Sequence, residues 1–402
     1  MRRGDRAGWV VATLLAAALS SFTRPARALD LGSEDSMASV EVHAFASQGF
    51  ILSKDNDYLS ADTTHGSFQF SELGVNLTKK LTDRFRVGLQ LFAQDLGPTG
   101  NYDVRADWFY LDYRFTNWLG VRAGRVKIPF GLYNDSVDID SARAAVLLPQ
   151  SVYPEENRNY LLAQTGGEVY GFVDLRKAGG LDYSLYGGTI YVDETTPAGS
   201  PYQITNFNVP YVGGGRLLWD TPVDGLRVGG SVQALRLDAS ILANIASPTA
   251  PATPVTANIQ IPAVLWVGSA EYTAGDLVLS AEYSRWMVSE DTSNPSVIPV
   301  QATVTSERAY VMATYRATPW LQPCVYYAVT FPDVTQRDGR QNYQHDVSTT
   351  LRFDLNSFWL LKLEGHYMVG TGGVDPTLNG GASLASLTPA WGVLLVKTTA
   401  YF

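Results

Sequence analysis

The chain has 402 residues and a net charge of −9, and 46% of its residues are hydrophobic, 12% aromatic and only 17% charged. The aromatic content excludes a disordered chain, the single cysteine excludes a disulfide-stapled scaffold, and the acidic balance excludes a basic nucleic-acid-binding protein. Mean hydropathy is nevertheless close to zero. The protein is therefore large and poor in charge without being apolar overall.

The N-terminus has the pattern of a secretory signal peptide. Three arginines within the first six residues precede an apolar run over 9–19, and small residues at Ala26 and Ala28 form a cleavage site. An uncleaved anchor is the weaker alternative, because crossing a bilayer takes about 20 apolar residues. We expect cleavage after Ala28. Loss of residues 1–28 removes five arginines and one aspartate, which changes the net charge to −13.

From about residue 38 the chain repeats stretches that alternate apolar with polar or small residues, which is the period of a β-strand. Between residues 84 and 91, phenylalanine, valine and leucine alternate with arginine, glycine and glutamine. Between residues 359 and 369, Lys362, Glu364 and His366 alternate with large apolar side chains. Each strand therefore has one apolar and one polar face.

Short and long connections alternate between these stretches. The tight links lie at 80–83, 116–117, 177–180, 221–225, 273–276, 317–319 and 355–357. The longer, polar or Pro/Gly-rich connections lie at 51–66, 96–103, 127–165, 194–210, 240–260, 290–302, 332–341 and 371–387. Short turns on one side and long loops on the other are typical of transmembrane barrels, and these connections join about sixteen strands.

Residues 29–402 are therefore predicted to form an all-β fold, a transmembrane, antiparallel, up-and-down β-barrel of about 16 strands in the outer membrane. An apolar outer face and a polar lumen face explain the low charge content. A soluble β-sandwich, propeller or solenoid is the alternative. The C-terminal strand ends in Phe402, similar to the sorting signal of outer-membrane proteins.

Aromatic residues near the predicted strand ends also favour the barrel, since they suit the two interfaces of a membrane. These residues are Trp108, Phe109, Tyr110, Trp118, Trp219, Trp266, Trp286, Trp320, Phe358 and Trp359.

The third long connection, 127–165, is long for an ordinary loop and is rich in large apolar residues such as Phe130, Leu147 and Tyr153. Such a segment is too apolar to remain in water. We expect it to fold inward, pack on the lumen wall and narrow the pore.

The segment Gly124-Arg-Val-Lys-Ile-Pro-Phe-Gly131 resembles the GRxKxPFG signature of porin O/P-like proteins, a group that includes phosphate-selective porins. Residues 147–153, Arg158-Asn159 and Gly166-Gly167 resemble related general porins of Gram-negative bacteria. The resemblance implies a homotrimer of sixteen-stranded barrels in outer-membrane lipid. It also implies passive diffusion of small hydrophilic solutes or ions through a water-filled lumen, with the third loop as the constriction.

Charged residues of this loop and of the early strands are the candidate lumen and constriction residues. They are Arg84, Arg86, Arg114, Arg122, Arg125, Lys127, Asp135, Asp138, Asp140, Glu155, Glu156 and Arg158. Arginines facing an acidic loop would create a transverse field, or they could pair with Asp112 and Glu72. An anion pore needs basic residues at its narrowest point, so the acidic loop favours a general or mildly cation-preferring pore. The three aspartates lack the glycine and distal glutamate of an EF-hand.

Other classes of protein have less support. The four histidines lie in no catalytic motif, and the sequence has no CxxC, HExxH, GxSxG or phosphate-binding glycine loop, so we expect no enzyme, cofactor or metal site. A solute-specific channel for phosphate, another anion or a sugar stays open. Aromatic residues inside the constriction would favour such a channel. A barrel of sixteen strands is too wide for side chains of its own wall to fill.

Overall fold

The computed structural model describes residues 29–30, 40–97, 100–191, 202–247, 250–295 and 301–402. The expected signal peptide, residues 1–28, lies outside these described residues. In these ranges no helix has the length and apolar character needed to span a membrane.

Sixteen long strands form the wall of the molecule, and a two-residue strand β1 (Leu29–Asp30) pairs with the first of them. The sixteen strands are β2 (Glu41–Lys54), β3 (Phe70–Lys80), β4 (Phe85–Leu96), β5 (Arg105–Thr116), β6 (Leu119–Lys127), β7 (Ala163–Asp174), β8 (Gly180–Ile190), β9 (Tyr202–Asp220), β10 (Leu226–Ser247), β11 (Ala250–Ala274), β12 (Leu277–Thr292), β13 (Gln301–Tyr315), β14 (Leu321–Phe331), β15 (Gln344–Asn356), β16 (Trp359–Gly370) and β17 (Ala390–Tyr401). They confirm the predicted all-β fold.

Helical structure in the described residues is limited to one short α-helix, α1 (Arg158–Leu161), and single turns of 3₁₀-helix. Those turns are Thr63–His65, Asn134–Ser136, Asp140–Ala142, Glu155–Asn157, Arg176–Ala178, Arg340–Asn342, Pro376–Asn379 and Leu384–Ser386.

Each of the sixteen strands pairs antiparallel with its neighbours in sequence, and the last strand pairs with the first, so the barrel is closed. Along the closing seam Leu395 of β17 lies opposite Ile51 of β2, and Thr399 lies opposite Ser47. Closure removes the free sheet edges that lipid cannot solvate. The predicted antiparallel up-and-down barrel of sixteen strands is thus confirmed.

The alternation of short and long connections is also confirmed, with one exception. The predicted loop 240–260 is wrong, because β10 continues to Ser247 and β11 begins at Ala250. Prolines at 251 and 254 suggested a loop. At these positions β11 pairs only with β10, because the pairing of β11 with β12 starts at Ile259. This part of β11 is therefore a sheet edge, and an edge position tolerates proline.

The strands have the predicted two faces. On β16, Leu363 and Tyr367 are exposed on the outer surface, whereas Lys362 and Glu364 are buried inside. Trp118, Trp219 and Trp320 are exposed on the outer surface, where an aromatic belt requires them. The predicted belt is wrong for Trp108, Tyr110 and Trp286, because their strand phase directs them into the lumen.

The main hydrophobic core lies inside the barrel, because residues 128–162 fold into the lumen as expected. Ile128, Phe130 and Val152 are 0% exposed and pack against the inner faces of β8 to β14. Val146 and Leu147 join a second cluster with side chains of β2, β16 and β17. The third loop therefore fills the lumen along much of the wall.

Candidate pore and its constriction loop

The third loop is attached to the β16–β17 wall through Asp140, whose side chain is 0% exposed. Its carboxylate lies 2.9 Å from Lys362 Nζ and 3.3 Å from Lys397 Nζ, and it accepts a hydrogen bond from the Thr399 hydroxyl. Burial by itself would raise the pKa of Asp140, but the ammonium groups and the nearby Arg143 guanidinium lower that pKa well below its usual value. Asp140 is therefore an ionised, buried attachment point.

Backbone groups of the loop extend this attachment. The Arg352 guanidinium donates to the carbonyl oxygens of Ser141 (2.7 Å) and Arg143 (3.0 Å). The Glu364 carboxylate accepts from the backbone N–H groups of Val146 (2.6 Å) and Leu147 (3.0 Å). Irregular backbone inside a barrel needs such partners, because each unpaired buried N–H or C=O is costly.

Glu282 on β12 forms the second attachment, on another part of the wall. Its buried carboxylate accepts from the backbone N–H of Leu132 (2.9 Å), from the Tyr310 hydroxyl (2.8 Å) and from the Tyr153 hydroxyl. The loop turns here at Gly131, whose φ of 60° is in the left-handed region. A Cβ on Gly131 would lie 2.4 Å from the Tyr153 hydroxyl, so this position requires glycine.

The third attachment joins the loop to β4, β5 and β6. Arg158 donates two hydrogen bonds to Asp107, of 3.0 and 2.6 Å. Asp138 is fully buried and accepts from Lys127 Nζ and from Gln90 Nε2. Burial opposes its ionisation, but Lys127 lowers the pKa of the Asp138 carboxyl below its usual value. Three separate parts of the wall therefore hold one loop.

A cavity of about 680 Å³ lies between the loop and the inner faces of β5 to β10. It reaches the short-turn end of the barrel, since Asn117, Asp182 and Arg227 line it. Five basic and three acidic side chains line it, namely Arg114, Arg122, Lys127, Arg216, Arg227, Asp135, Glu168 and Asp182. The cavity is thus polar, whereas elsewhere apolar clusters and buried ion pairs fill the space between the loop and the wall.

Beside this cavity, charges of opposite sign alternate across four neighbouring strands. Arg86, Asp112, Arg122 and Glu168 lie directly opposite one another in register on β4 to β7. Arg86 lies 2.8 Å from Asp112, and Arg122 lies 3.6 Å from Asp112 and 3.0 Å from Glu168. This placement favours the expected pairing of the arginines with Asp112, whereas the other expected partner, Glu72, lies 2.6 Å from Lys397 instead.

The other candidate arginines have different positions. Arg84 is exposed in the turn between β3 and β4, and Arg114 is exposed on β5 and lines the cavity. Arg125 lies opposite Phe109, a residue of the outer surface, and its Nε donates to the Asp107 carbonyl oxygen at 2.8 Å. Arg125 therefore has the outward strand phase.

The acidic candidates also differ in their exposure and in their ion pairs. Asp135 is half-exposed at the cavity, and its carboxylate lies 2.6 Å from Arg216. Glu155 and Glu156 make no ion pair within 4.0 Å in the described part of the chain. Glu156 is exposed and lines a separate cavity of about 110 Å³ beside Arg308. Of the five candidate acids, Asp138 and Asp140 therefore hold the loop through buried ion pairs.

Sequence reasoning missed the wall residues that hold the loop. Lys362 and Glu364 were placed on the polar strand face, but the sequence did not pair them with a segment about 220 residues away. Asp107, Glu282 and Lys397 had no motif around them. Strand phase is the one available signal, since an isolated charge on a lumen face needs a partner.

Comparisons with known proteins support the fold. The chain matches no family model, and no curated protein matches it in sequence. It is similar to the solved structures of OmpT of Vibrio cholerae (TM-score 0.57, 12% identity, 93% of this chain and 100% of that chain), and of OmpF of Salmonella typhi in complex with daunomycin (0.54, 12%, 93% and 100%). An anion-selective porin from Comamonas acidovorans is also similar (0.53, 13%, 90% and 99%). The chain therefore has the sixteen-stranded barrel fold of outer-membrane porins.

Proposed function

We propose that the protein is an outer-membrane channel for passive diffusion of small hydrophilic solutes, with the third loop as its constriction. The observation that carries this proposal is the polar cavity between the loop and β5 to β10. Elsewhere apolar packing and the three attachments hold the loop against the wall. Water and polar solutes would therefore pass along the cavity side of the lumen.

Ion selectivity is expected to be weak. The acidic loop suggested a mild cation preference, but Asp135, Asp138 and Asp140 each lie beside a basic group of the wall. A paired carboxylate adds little to the net potential in the pore. The pairing therefore removes the basis for that preference.

Membership of the porin O/P-like group is part of the proposal. The segment 124–131 includes the point where the chain leaves β6 and turns into the lumen. Within it Lys127 binds Asp138, Phe130 is buried in the core, and Gly131 makes the turn. These roles fit a motif that begins a constriction loop. A homotrimer in the outer membrane is proposed with it, to be tested by cross-linking in native membranes.

We also propose that the barrel is not an enzyme. Ser348 lies opposite His366, and Asp346 is near, which gives the residue types of a hydrolytic triad. Both ring nitrogens of His366 contact carboxylates, however, at 3.0 Å from Asp346 and 3.0 Å from Glu364. No nitrogen is available to take a proton from the serine. Ser348 is 0% exposed and His366 is 6% exposed, so a substrate could not reach either side chain.

Channel recordings test the proposal. The purified protein should conduct ions in a planar bilayer, and Ser184→Trp should lower the conductance because Ser184 lines the cavity. Leu185→Trp is the matched control, since the neighbouring side chain is 61% exposed on the outer surface. A wild-type protein without any conductance would refute the channel. Equal conductance of the two variants would show that ions do not pass through this cavity.

A further inference from the structure

Glu364, on the inner face of β16, accepts hydrogen bonds from both the third loop and the barrel wall. Its Oε1 accepts from the backbone N–H of Leu147 and contacts the His366 ring, each at 3.0 Å. Its Oε2 accepts from the backbone N–H of Val146 at 2.6 Å and from the Thr350 hydroxyl at 2.5 Å. Each carboxylate oxygen therefore bonds one group of the loop and one group of the wall.

The His366 ring lies between two buried carboxylates. Its Nε2 is 3.0 Å from Glu364 Oε1, and its Nδ1 is 3.0 and 3.1 Å from the two carboxylate oxygens of Asp346. The side chains of His366 and Glu364 are 0% exposed, and that of Asp346 is 7% exposed. An ionised carboxylate only accepts hydrogen bonds, whereas a neutral imidazole has one N–H and an imidazolium has two. Both contacts are therefore satisfied only by the imidazolium form of His366.

The neighbouring ion pairs on the same wall also favour a charged ring. They join three bases and two acids, namely Lys362, Lys397, Arg143, Asp140 and Glu72. That group has one positive charge in excess. Asp346 and Glu364 have one negative charge in excess when His366 is an imidazolium, and two when the ring is neutral. Because buried charges need compensation, the imidazolium gives the better balance.

We propose that His366 is a positioning residue for the constriction loop: its imidazolium holds Glu364 where that carboxylate binds the backbone of residues 146 and 147, and loss of the ring proton in alkali releases this segment. A neutral ring can donate to only one of its two carboxylates, so Glu364 would lose either its partner or its counter-charge. Val146 and Leu147 would then leave their apolar cluster with β2, β16 and β17. The inference rests on the proposed function only where it treats the third loop as the constriction.

Other titratable groups surround this site. The Tyr326 ring of β14 meets the His366 ring edge-on, with centroids 5.9 Å apart, and the Tyr326 hydroxyl lies 3.4 Å from Asp346. On β17 the residue opposite His366 is Val393, which has no charge. Further charged or titratable side chains near the two carboxylates are Tyr58, Arg143, Glu156, Arg308, Cys324 and Lys362. Thiol, phenol and ammonium groups also lose protons in alkali, so a test by pH needs a variant that keeps them unchanged.

Hydrogen exchange of the folded protein, followed on peptides that cover residues 144–148, tests the proposal. At neutral pH we expect this segment to exchange at least about tenfold faster in His366→Gln than in the wild type, because the buried Glu364 loses its counter-charge. Asp346→Asn is the matched control. It removes a buried charge from the same site but keeps the contact between His366 and Glu364, so protection of the segment should change little.

A double variant separates the charge of the ring from its packing. His366→Gln combined with Asp346→Asn removes the excess negative charge that the single variant His366→Gln leaves in the site. Most of the lost protection at 144–148 should therefore return. Unchanged protection in His366→Gln would overturn the inference, because it would show that the loop does not need the ring. A further loss in the double variant would also overturn it, since the ring would then act by packing alone.

The pH profile gives a second readout, which decides the question even if His366→Gln alone fails to fold. After correction for intrinsic exchange, wild-type protection at 144–148 should fall between neutral pH and about pH 10, and the double variant should show a smaller fall. Tyr58, Cys324 and Lys362 are present in both proteins, so their titration does not account for the difference. Identical profiles would overturn the inference. Absence of ion conductance in the wild type would instead refute the proposed function and would leave the exchange result unaffected.

Discussion

Asp140→Asn should release the third loop from the β16–β17 wall. The substitution removes the carboxylate that lies 2.9 Å from Lys362, 3.3 Å from Lys397 and 3.6 Å from Arg143. Lys397 keeps Glu72 at 2.6 Å, so its charge remains compensated. Lys362 keeps only carbonyl oxygens, of Asp140 and Ala145, and becomes a buried ammonium without a counter-charge.

Removing one partner of a buried ion pair costs about 3–5 kcal/mol. Lys397 stays paired, but Lys362 and Arg143 both lose the carboxylate, so we expect a cost of at least about 3 kcal/mol for docking of the loop. This corresponds to a roughly 100-fold larger population of the undocked loop.

Hydrogen exchange of the folded protein, followed by mass spectrometry of peptides from 128–162, measures this population. Asp135→Asn is the matched control, because its pair with Arg216 is half-exposed and worth at most about 1 kcal/mol. We expect fast exchange at 140–147 in Asp140→Asn and little change in the control. Equal protection in both variants would refute the buried-charge argument.

The pH dependence of docking follows from the same group. Since the pKa of Asp140 is lowered in the folded protein, its contribution is fully present above the ordinary aspartate pKa, about 3.9. It is lost as the pH falls below that value. Loop protection attributable to Asp140 should therefore be constant between neutral pH and mild acid and should fall only in strong acid.

Three further outcomes are expected. Tyr153→Phe removes the hydroxyl that donates to Glu282, so docking should weaken by about 1–3 kcal/mol in the same exchange experiment; unchanged protection would contradict that role. Asp135→Asn leaves Arg216 without its carboxylate, and the reversal potential in a salt gradient should shift toward anion preference; a shift toward cations would contradict the cavity assignment. The exported protein should begin at Leu29 in an intact-mass measurement, and a longer chain would show that the leader is retained.

The wall of the barrel could be predicted from the sequence because it depends on local information. A strand in lipid needs an apolar side chain at every second position, and a tight turn needs few residues. Positions 359–369 therefore predicted that Lys362 and Glu364 lie on the lumen face, although not that the third loop buries them there. The extension of β10 and β11 into the predicted connection 240–260 was missed, since prolines at 251 and 254 are typical of a loop.

The burial and the partners of the charged loop residues could not be predicted from the local sequence pattern. Asp135, Asp138 and Asp140 are neighbouring acids in one acidic segment. The structure gives them different environments, half-exposed at the cavity for Asp135 and fully buried for the other two. Burial depends on the path of the loop, and the path depends on distant partners.

The sequence by itself therefore determined the barrel, most of its strand phases and alternating connections, and the inward fold of an apolar third loop. Only the tertiary structure decided which charges meet, because barrel closure and loop insertion bring Asp140 to Lys362, Glu282 to Tyr153 and Asp107 to Arg158. The tertiary structure also decided that the polar cavity lies along β5 to β10. Strand alternation has a period of two residues, whereas these pairings span up to 222 residues and leave no periodic signal in the chain.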